Sequence, residues 1–212
     1  KYVAKNTADN RGFSITFMPK PFGGTNGSVV HMHMSLMNGR KNIFFGKDRI
    51  SRKARHFVGG ILGHAKSLSA LAAPTVNSYK RLVAGYETPV YLCWGFMNRS
   101  ALVRVPSFNN AKTARVEVRM PDPKCNPYLI MAGILIAGMD GIRQQTDPGE
   151  PNSRNVYEDT EGLHRLPRTL ADAIRELQRD VVLGEALGKE TVDKYAALKT
   201  TVRATPNGIH WR

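Results

Sequence analysis

The sequence predicts an α+β fold, mainly an antiparallel sheet flanked by helices. Three observations carry this. Short runs of alternating apolar and polar residues fall in the first half of the chain, and long runs with helical spacing follow in the second. Pro and Gly breakers bound the short runs, as at Pro19-Lys20-Pro21 and Asn38-Gly39. No internal repeat or low-complexity tract suggests a solenoid or a linker.

The elements follow in order. Phe13–Met18 (FSITFM) reads as a strand stopped by Pro19-Lys20-Pro21, with a Gly/Asn-rich turn over Gly23–Gly27. Val29–Leu36 reads as a second strand, followed by an Asn38-Gly39 turn. Ile50, Ala54, Phe57, Val58, Ile61, Leu62, Ala65 and Leu68 recur at helical spacing, which predicts one amphipathic helix over Ser51–Leu71, ended by Pro74. Thr75–Pro89 reads as a Gly-bearing loop. Val90–Trp94, Ala101–Val105 and Arg115–Met120 read as short strands.

Asn126-Pro127 is a helix start, with Asn as cap and Pro in the first turn, and the helix should run to about Gln144 and be largely buried. Asp147–Arg168 is polar and loop-like. Thr169 caps a helix over Leu170–Val181, a last helix covers Thr191–Lys199, and Thr200–Arg212 reads as irregular. One domain is expected over 1–212: strand-rich to residue 125, helical from 126 to 199.

Charge is unevenly spread. Up to Gly141 there are 20 Lys and Arg against 6 Asp and Glu; from Ile142 onward there are 11 of each. Such an excess suits nucleic acid, a phosphate-handling site, or a half-site whose acidic complement lies elsewhere. The sequence shows no helical Arg/Lys stripe interleaved with aromatics, which argues against nucleic acid. No apolar run is long enough to cross a bilayer and no leader opens the chain. Cys93 and Cys125 have no metal or redox spacing and read as reduced thiols, so a cytoplasmic protein without membrane contact is expected.

Strand alternation places the polar groups. On Val29–Leu36, His31, His33 and Ser35 share one face; Val30, Met32, Met34 and Leu36 share the other. Two imidazoles and a hydroxyl on one face suit metal and phosphate contacts, and the same pattern suits a solvated face. On Arg115–Met120, Arg115, Glu117 and Arg119 share a face. A carboxylate between guanidiniums stays ionised, as a metal ligand must, although a surface ion-pair ladder has the same pattern. Arg99, Arg104 and Lys112 add cations nearby. The loop carrying Gly85, Tyr86 and Glu87 is a candidate lid, or simply a solvated connector.

Taken together, FMPKP (17–21), NGSVVHMHMSL (26–36), NSYKRLVAGYETP (77–89), NRSALVRVP (98–106) and RVEVRMPDPKCNPY (115–128) resemble the glutamine synthetase family in order and spacing. The resemblance covers roughly Lys1–Lys199. It implies an ATP-dependent ligase that phosphorylates the γ-carboxylate of glutamate and lets ammonia displace the phosphate, with Mg²⁺ or Mn²⁺ as cofactor. A larger amine, giving a γ-glutamylamide, or a non-catalytic nucleotide-binding relative are the alternatives. By resemblance, His31 and Glu117 are metal ligands. His33 and Ser35 lie along the nucleotide, and Arg99, Arg104, Lys112 and Arg115 face its phosphates. Asn26, Gly27 and Arg81 bind glutamate. Arg119 contacts glutamate and stabilises the transferred phosphoryl group. Glu87 is the flap carboxylate that shields the acyl phosphate and receives ammonium; it is expected to be catalytic together with Arg99 and Arg119.

There are departures. Val29-Val30 stands where Gly-Met is usual, and Ala84 replaces a common proline of the flap. Tyr157 falls where some bacterial members carry a modified tyrosine, but lacks the usual following sequence. The tail from Thr200 does not resemble the family's. The family's N-terminal β-grasp domain and upstream acidic metal ligands have no counterpart in these 212 residues, so the chain alone is expected to be inactive. The family's ring oligomers imply self-association.

Overall fold

The computed structural model describes residues 1–47, 49–84 and 88–201. Its centre is a four-stranded sheet. The strands β1 (Met32–Met34), β4 (Trp94–Phe96), β5 (Val103–Val105) and β6 (Val116–Val118) lie in the order β1-β6-β5-β4. β6 runs antiparallel to both its neighbours, and β4 pairs parallel with β5. A separate hairpin pairs β2 (Met37–Asn38) with β3 (Lys41–Asn42) around the expected Asn38-Gly39 turn, and Gly39 supplies the positive φ the turn needs.

Val103, Val105, Val116 and Val118 are completely or almost completely buried, and Met32, Met34 and Leu36 pack against the same core. The alternation read from Val29–Leu36 therefore holds on its apolar side. The other wall of this core is helical. α2 (Arg52–Gly63) lies along α5 (Pro127–Gln144), and α3 (Ala65–Ala72) lies along α6 (Leu170–Arg179). At the α2–α5 crossing the backbones meet directly. A Cβ on Gly60 would lie 2.0 Å from Ala137 O, and one on Gly141 would lie 2.2 Å from His56 O. Any side chain there would push the helices apart.

Several expectations are corrected. Phe13–Met18 forms no strand: no described strand pairs with it, and Phe13 and Ile15 are exposed. The single helix over Ser51–Leu71 is two helices broken at His64, whose backbone leaves helical geometry while its ring reaches other elements. The break spans one residue, so the apolar period carries across it and hides it. Residues 76–81, expected to be loop, form α4 (Val76–Arg81), started by a capping box between Thr75 and Ser78. The strand expected at Val90–Trp94 is displaced to Trp94–Phe96.

α5 begins as expected, with Asn126 Oδ1 accepting from Tyr128 N and Leu129 N, but it is not largely buried. Tyr128, Met131, Leu135 and Met139 form an exposed stripe. The helix expected over Leu170–Val181 stops at Arg179, because Asp180 caps a further helix, α7 (Val181–Leu187), and α8 (Lys189–Thr201) follows. α1 (Tyr2–Asp9) was not anticipated; it buries none of its residues. No described helix is long and apolar enough to cross a membrane. Cys93 and Cys125 are free and buried, and burial pushes the Cys125 thiol up to about 11.

Candidate functional site

Glu117, in the middle of β6, is the hub. Antiparallel register sets His33 opposite it on β1 and Arg104 opposite it on β5. Its side chain is 1% exposed. His31 Nδ1 lies 2.7 Å from Oε1, His33 Nε2 lies 3.7 Å from the same oxygen, and Arg119 Nη1 donates to it at 3.5 Å. Arg104 Nε is 2.5 Å from Oε2, but the approach is not aligned as a hydrogen bond. Burial acts to raise the Glu117 pKa. The His31 hydrogen bond and the charges of Arg104, His31 and Arg119 outweigh it, and the carboxyl is held below its ordinary range.

Arg115 turns away from Glu117. Its Nε donates to His33 Nδ1 at 3.2 Å and its Nη1 to Thr113 O at 2.8 Å. Burial lowers the His33 pKa, and Arg115, His31 and Arg104 add to that against the opposing pull of Glu117. The pairing expected between Glu117 and its two same-strand arginines is therefore corrected in part. Arg119 keeps it, while Arg104 from the next strand takes the place expected of Arg115. Strand alternation could not supply that cross-strand register.

A second group of expected residues meets beside Pro19–Gly27. Asn77 on α4 holds Lys20 at both ends: its Oδ1 accepts from Lys20 N at 2.8 Å and its Nδ2 donates to Lys20 O at 3.0 Å. Ser28 N donates to Pro19 O, closing the turn. This lays Gly27 on the stem of Arg81: an added Cβ would lie 2.6 Å from Pro19 O and 2.7 Å from Arg81 Cγ. Arg81 is 2% exposed and donates from Nη2 to Met120 O, one residue beyond Arg119. Burial lowers its pKa, and the charge of the fully buried Asp122 resists that.

Among the described residues, the buried side-chain polar atoms without a hydrogen-bond partner are Arg81 Nε, Arg104 Nε, Glu117 Oε2, Arg119 Nε and Asp122 Oδ2. Buried polar atoms are normally paired, and leaving one unpaired costs about 1–3 kcal/mol. Arg104 Nε and Glu117 Oε2 offset each other as an ion pair, so the atoms of this set left without any partner are Arg81 Nε, Arg119 Nε and Asp122 Oδ2, and the two guanidiniums among them suit an additional anionic partner. Glu117 is kept ionised, as a metal ligand must be, and its Oε2 is held by Arg104 through an ion pair that is not aligned as a hydrogen bond. His31 and Glu117 thus fit a metal ion as part of a ligand set. The described residues contain no cluster of three His, Cys, Asp or Glu that could hold one by itself.

The remaining candidates do not join this network. Asn26, Ser35 and Lys112 are exposed, Lys112 on a short 3₁₀ turn over Ala111–Thr113. Arg99 lines a cavity of about 460 Å³ with Asn98, Ser100, Arg154 and Tyr157, and its carbonyl accepts from the Tyr157 hydroxyl at 3.2 Å. Glu87, with Gly85 and Tyr86, lies outside the described residues.

A glutamine synthetase catalytic-domain family matches residues 1–205. Curated proteins named glutamine synthetase are similar over most of the chain. The Thermococcus kodakarensis protein is 52% identical over 89% of this chain and 44% of its own length, and the Thermotoga maritima protein is 48% identical over 92% and 46%. The solved structures "Apo GmaS without ligand" and "GmaS/ADP complex-Conformation 1" superpose with a TM-score of 0.87, at 38% and 37% identity over 98% of this chain and about half of theirs. The chain spans under half the length of the curated relatives it matches.

Proposed function

The chain belongs to the glutamine synthetase family, and from that premise we propose that it forms the phosphate- and glutamate-binding wall of an ATP-dependent ligase joining ammonia to the γ-carboxylate of glutamate. The observation that carries the reading is the buried Glu117 carboxylate ringed by His31, Arg104 and Arg119, beside the buried guanidinium of Arg81.

In this reading the glutamate γ-carboxylate oxygen attacks the γ-phosphorus of ATP, the bond to the β-phosphate oxygen breaks, and ADP leaves. Ammonia then adds to the acyl carbon and the carbon–oxygen bond to phosphate breaks. The nitrogen gives up a proton as the amide forms. Arg104, Arg115, Lys112 and Arg99 neutralise the ATP phosphates, and His33 and Ser35 lie along the nucleotide. Arg119 meets the charge on the transferring phosphoryl group, where a preorganised buried guanidinium is most effective. Gly27, Asn26 and Arg81 orient glutamate. Glu87 shields the acyl phosphate from water and accepts the ammonium proton. His31 and Glu117 would contribute to holding Mg²⁺ or Mn²⁺, which when bound screens the phosphate charges. Self-association of subunits, as in the family's rings, belongs to the same proposal, as does the division of 1–212 as part of one catalytic domain. Ammonia is favoured over a larger amine because the curated proteins similar to this chain at up to 52% identity are named glutamine synthetase.

The test joins this chain to the N-terminal half of the Thermococcus kodakarensis relative and follows phosphate release from ATP. Release should require glutamate, ammonium and a divalent metal together. Release independent of glutamate, or supported by methylamine far better than by ammonium, would overturn the reading. Glu117→Ala and Arg119→Ala should each lower turnover by about 100-fold or more in folded protein.

A further inference from the structure

The excess positive charge is not confined to the region around Glu117. Between Arg40 and His56 the sequence holds seven Lys and Arg and one acid, Asp48. In the fold this segment closes the β2–β3 hairpin and enters α2. Lys47, Arg49, Arg52 and Arg55 come together there as the walls of one open cavity of about 520 Å³, shared with Gly46, Phe96 and Glu150. None of those residues belongs to the network around Glu117.

Arg55 is engaged: its Nη2 lies 3.5 Å from Asp147 and 3.9 Å from Glu150, and its guanidinium sits over the Trp94 ring at 5.6 Å. Both carboxylates are exposed, and of the two only Glu150 lines the cavity. The Arg49 guanidinium lies over the Phe96 ring at 4.5 Å, which fixes its direction without neutralising it. Lys47, Arg49 and Arg52 form no ion pair with any described residue. The site also lies at the N-terminal end of α2, whose dipole adds to the positive potential.

We propose that Lys47, Arg49, Arg52 and Arg55 form a binding site for a small polyphosphorylated anion, separate from the phosphate-binding arginines around Glu117. Three cations without an ion pair among the described residues share one concavity with a single carboxylate, Glu150, and their mutual repulsion eases when an anion enters it. Guanidiniums match phosphate oxygens two at a time, and a chain of phosphates brings several charges into a volume of this size. An acidic peptide spaces its carboxylates along an extended backbone, whereas a phosphate chain brings the same charge within one cavity of about 520 Å³. The assignment does not depend on the ligase reading.

The experiment is equilibrium dialysis of the 212-residue chain against inorganic tripolyphosphate in EDTA, with ATP as a second arm. Lys47, Arg49 and Arg52 are exposed, so their substitution leaves the core untouched. Arg49→Glu with Arg52→Glu should weaken tripolyphosphate binding at least about tenfold. Lys5→Glu with Lys124→Glu, an equal change in net charge at exposed positions elsewhere, should not. Equal affinity for ATP and tripolyphosphate would show that the phosphate chain alone is read; tighter ATP would add the nucleoside to the ligand. Equal weakening by both double variants, or none by either, would overturn the site. So would tighter binding of single-stranded oligonucleotide or polyglutamate through the same two arginines, which would place the ligand in another class.

Discussion

At the scale of single residues, two positions decide the most. Gly27 must stay bare because Pro19 O and the Arg81 stem fill the space a Cβ needs. Gly27→Ala should displace Arg81 and raise the KM for glutamate in the joined enzyme more than it lowers kcat, which steady-state kinetics would show. An unchanged KM would remove Gly27 from the proposed glutamate site. Glu117 is the other. The sequence made its ionisation and one arginine partner legible, because alternation puts Arg119 on its face. It did not reveal Arg104, since that contact depends on which strand lies beside β6. Nor did it reveal that Arg115 serves His33. Asn77 was missed as the clamp on Lys20 because a lone Asn in an apparent loop gives no signal.

At the scale of elements, the sequence was most legible where one strong local rule acted. Asn126-Pro127 placed the start of α5, Thr169 placed the start of α6, and apolar spacing placed the helical stretch of α2 and α3 without the break at His64. It failed where the deciding force was tertiary. Phe13–Met18 alternates like a strand but has no partner, and α4 is too short for a period and rests on its Thr75–Ser78 box. The exposed stripe on α5 was invisible because every turn of that helix is apolar. The α2–α5 seam offers a direct check. Gly60→Ala or Gly141→Ala should destabilise by about 2–4 kcal/mol in urea unfolding, since a methyl there meets backbone rather than a yielding side chain. Gly63→Ala, in the same helix with open space around it, should instead be neutral or stabilise by up to about 1 kcal/mol.

At the scale of the whole molecule, a histidine joins the helical layer. His64, at the α2–α3 break, sets Nδ1 2.7 Å from Asp180 between α6 and α7, and Nε2 3.4 Å from Asp140 on α5. Arg143 lies 3.9 Å from the other Asp140 oxygen. The Asp180 hydrogen bond raises the His64 pKa against the opposing effect of burial, with Asp140 adding to the rise. For Asp180, burial acts upward, but the His64 hydrogen bond and the Leu183 backbone amide bring its pKa below the ordinary value. A raised histidine stabilises the fold fully below its unfolded pKa of about 6.5, and that contribution fades as pH rises through the folded value. A lowered aspartate stabilises above about 3.9, and its contribution fades as pH falls through the folded value. The pair should therefore contribute most between about pH 4 and 6.5. His64→Gln should cost about 1–2 kcal/mol there and progressively less above pH 7, measured as unfolding free energy against pH. A cost that stays level across that range would show that the ring acts by packing alone.

The same imidazole has a consequence for how the fold opens. Because the α2–α3 break, α5 and the α6–α7 junction all meet at His64, displacing any one of them breaks a contact of that ring. Amide protons along these helices should therefore exchange with solvent as one cooperative block sharing a single opening free energy. α1, which buries none of its residues, should exchange far ahead of them.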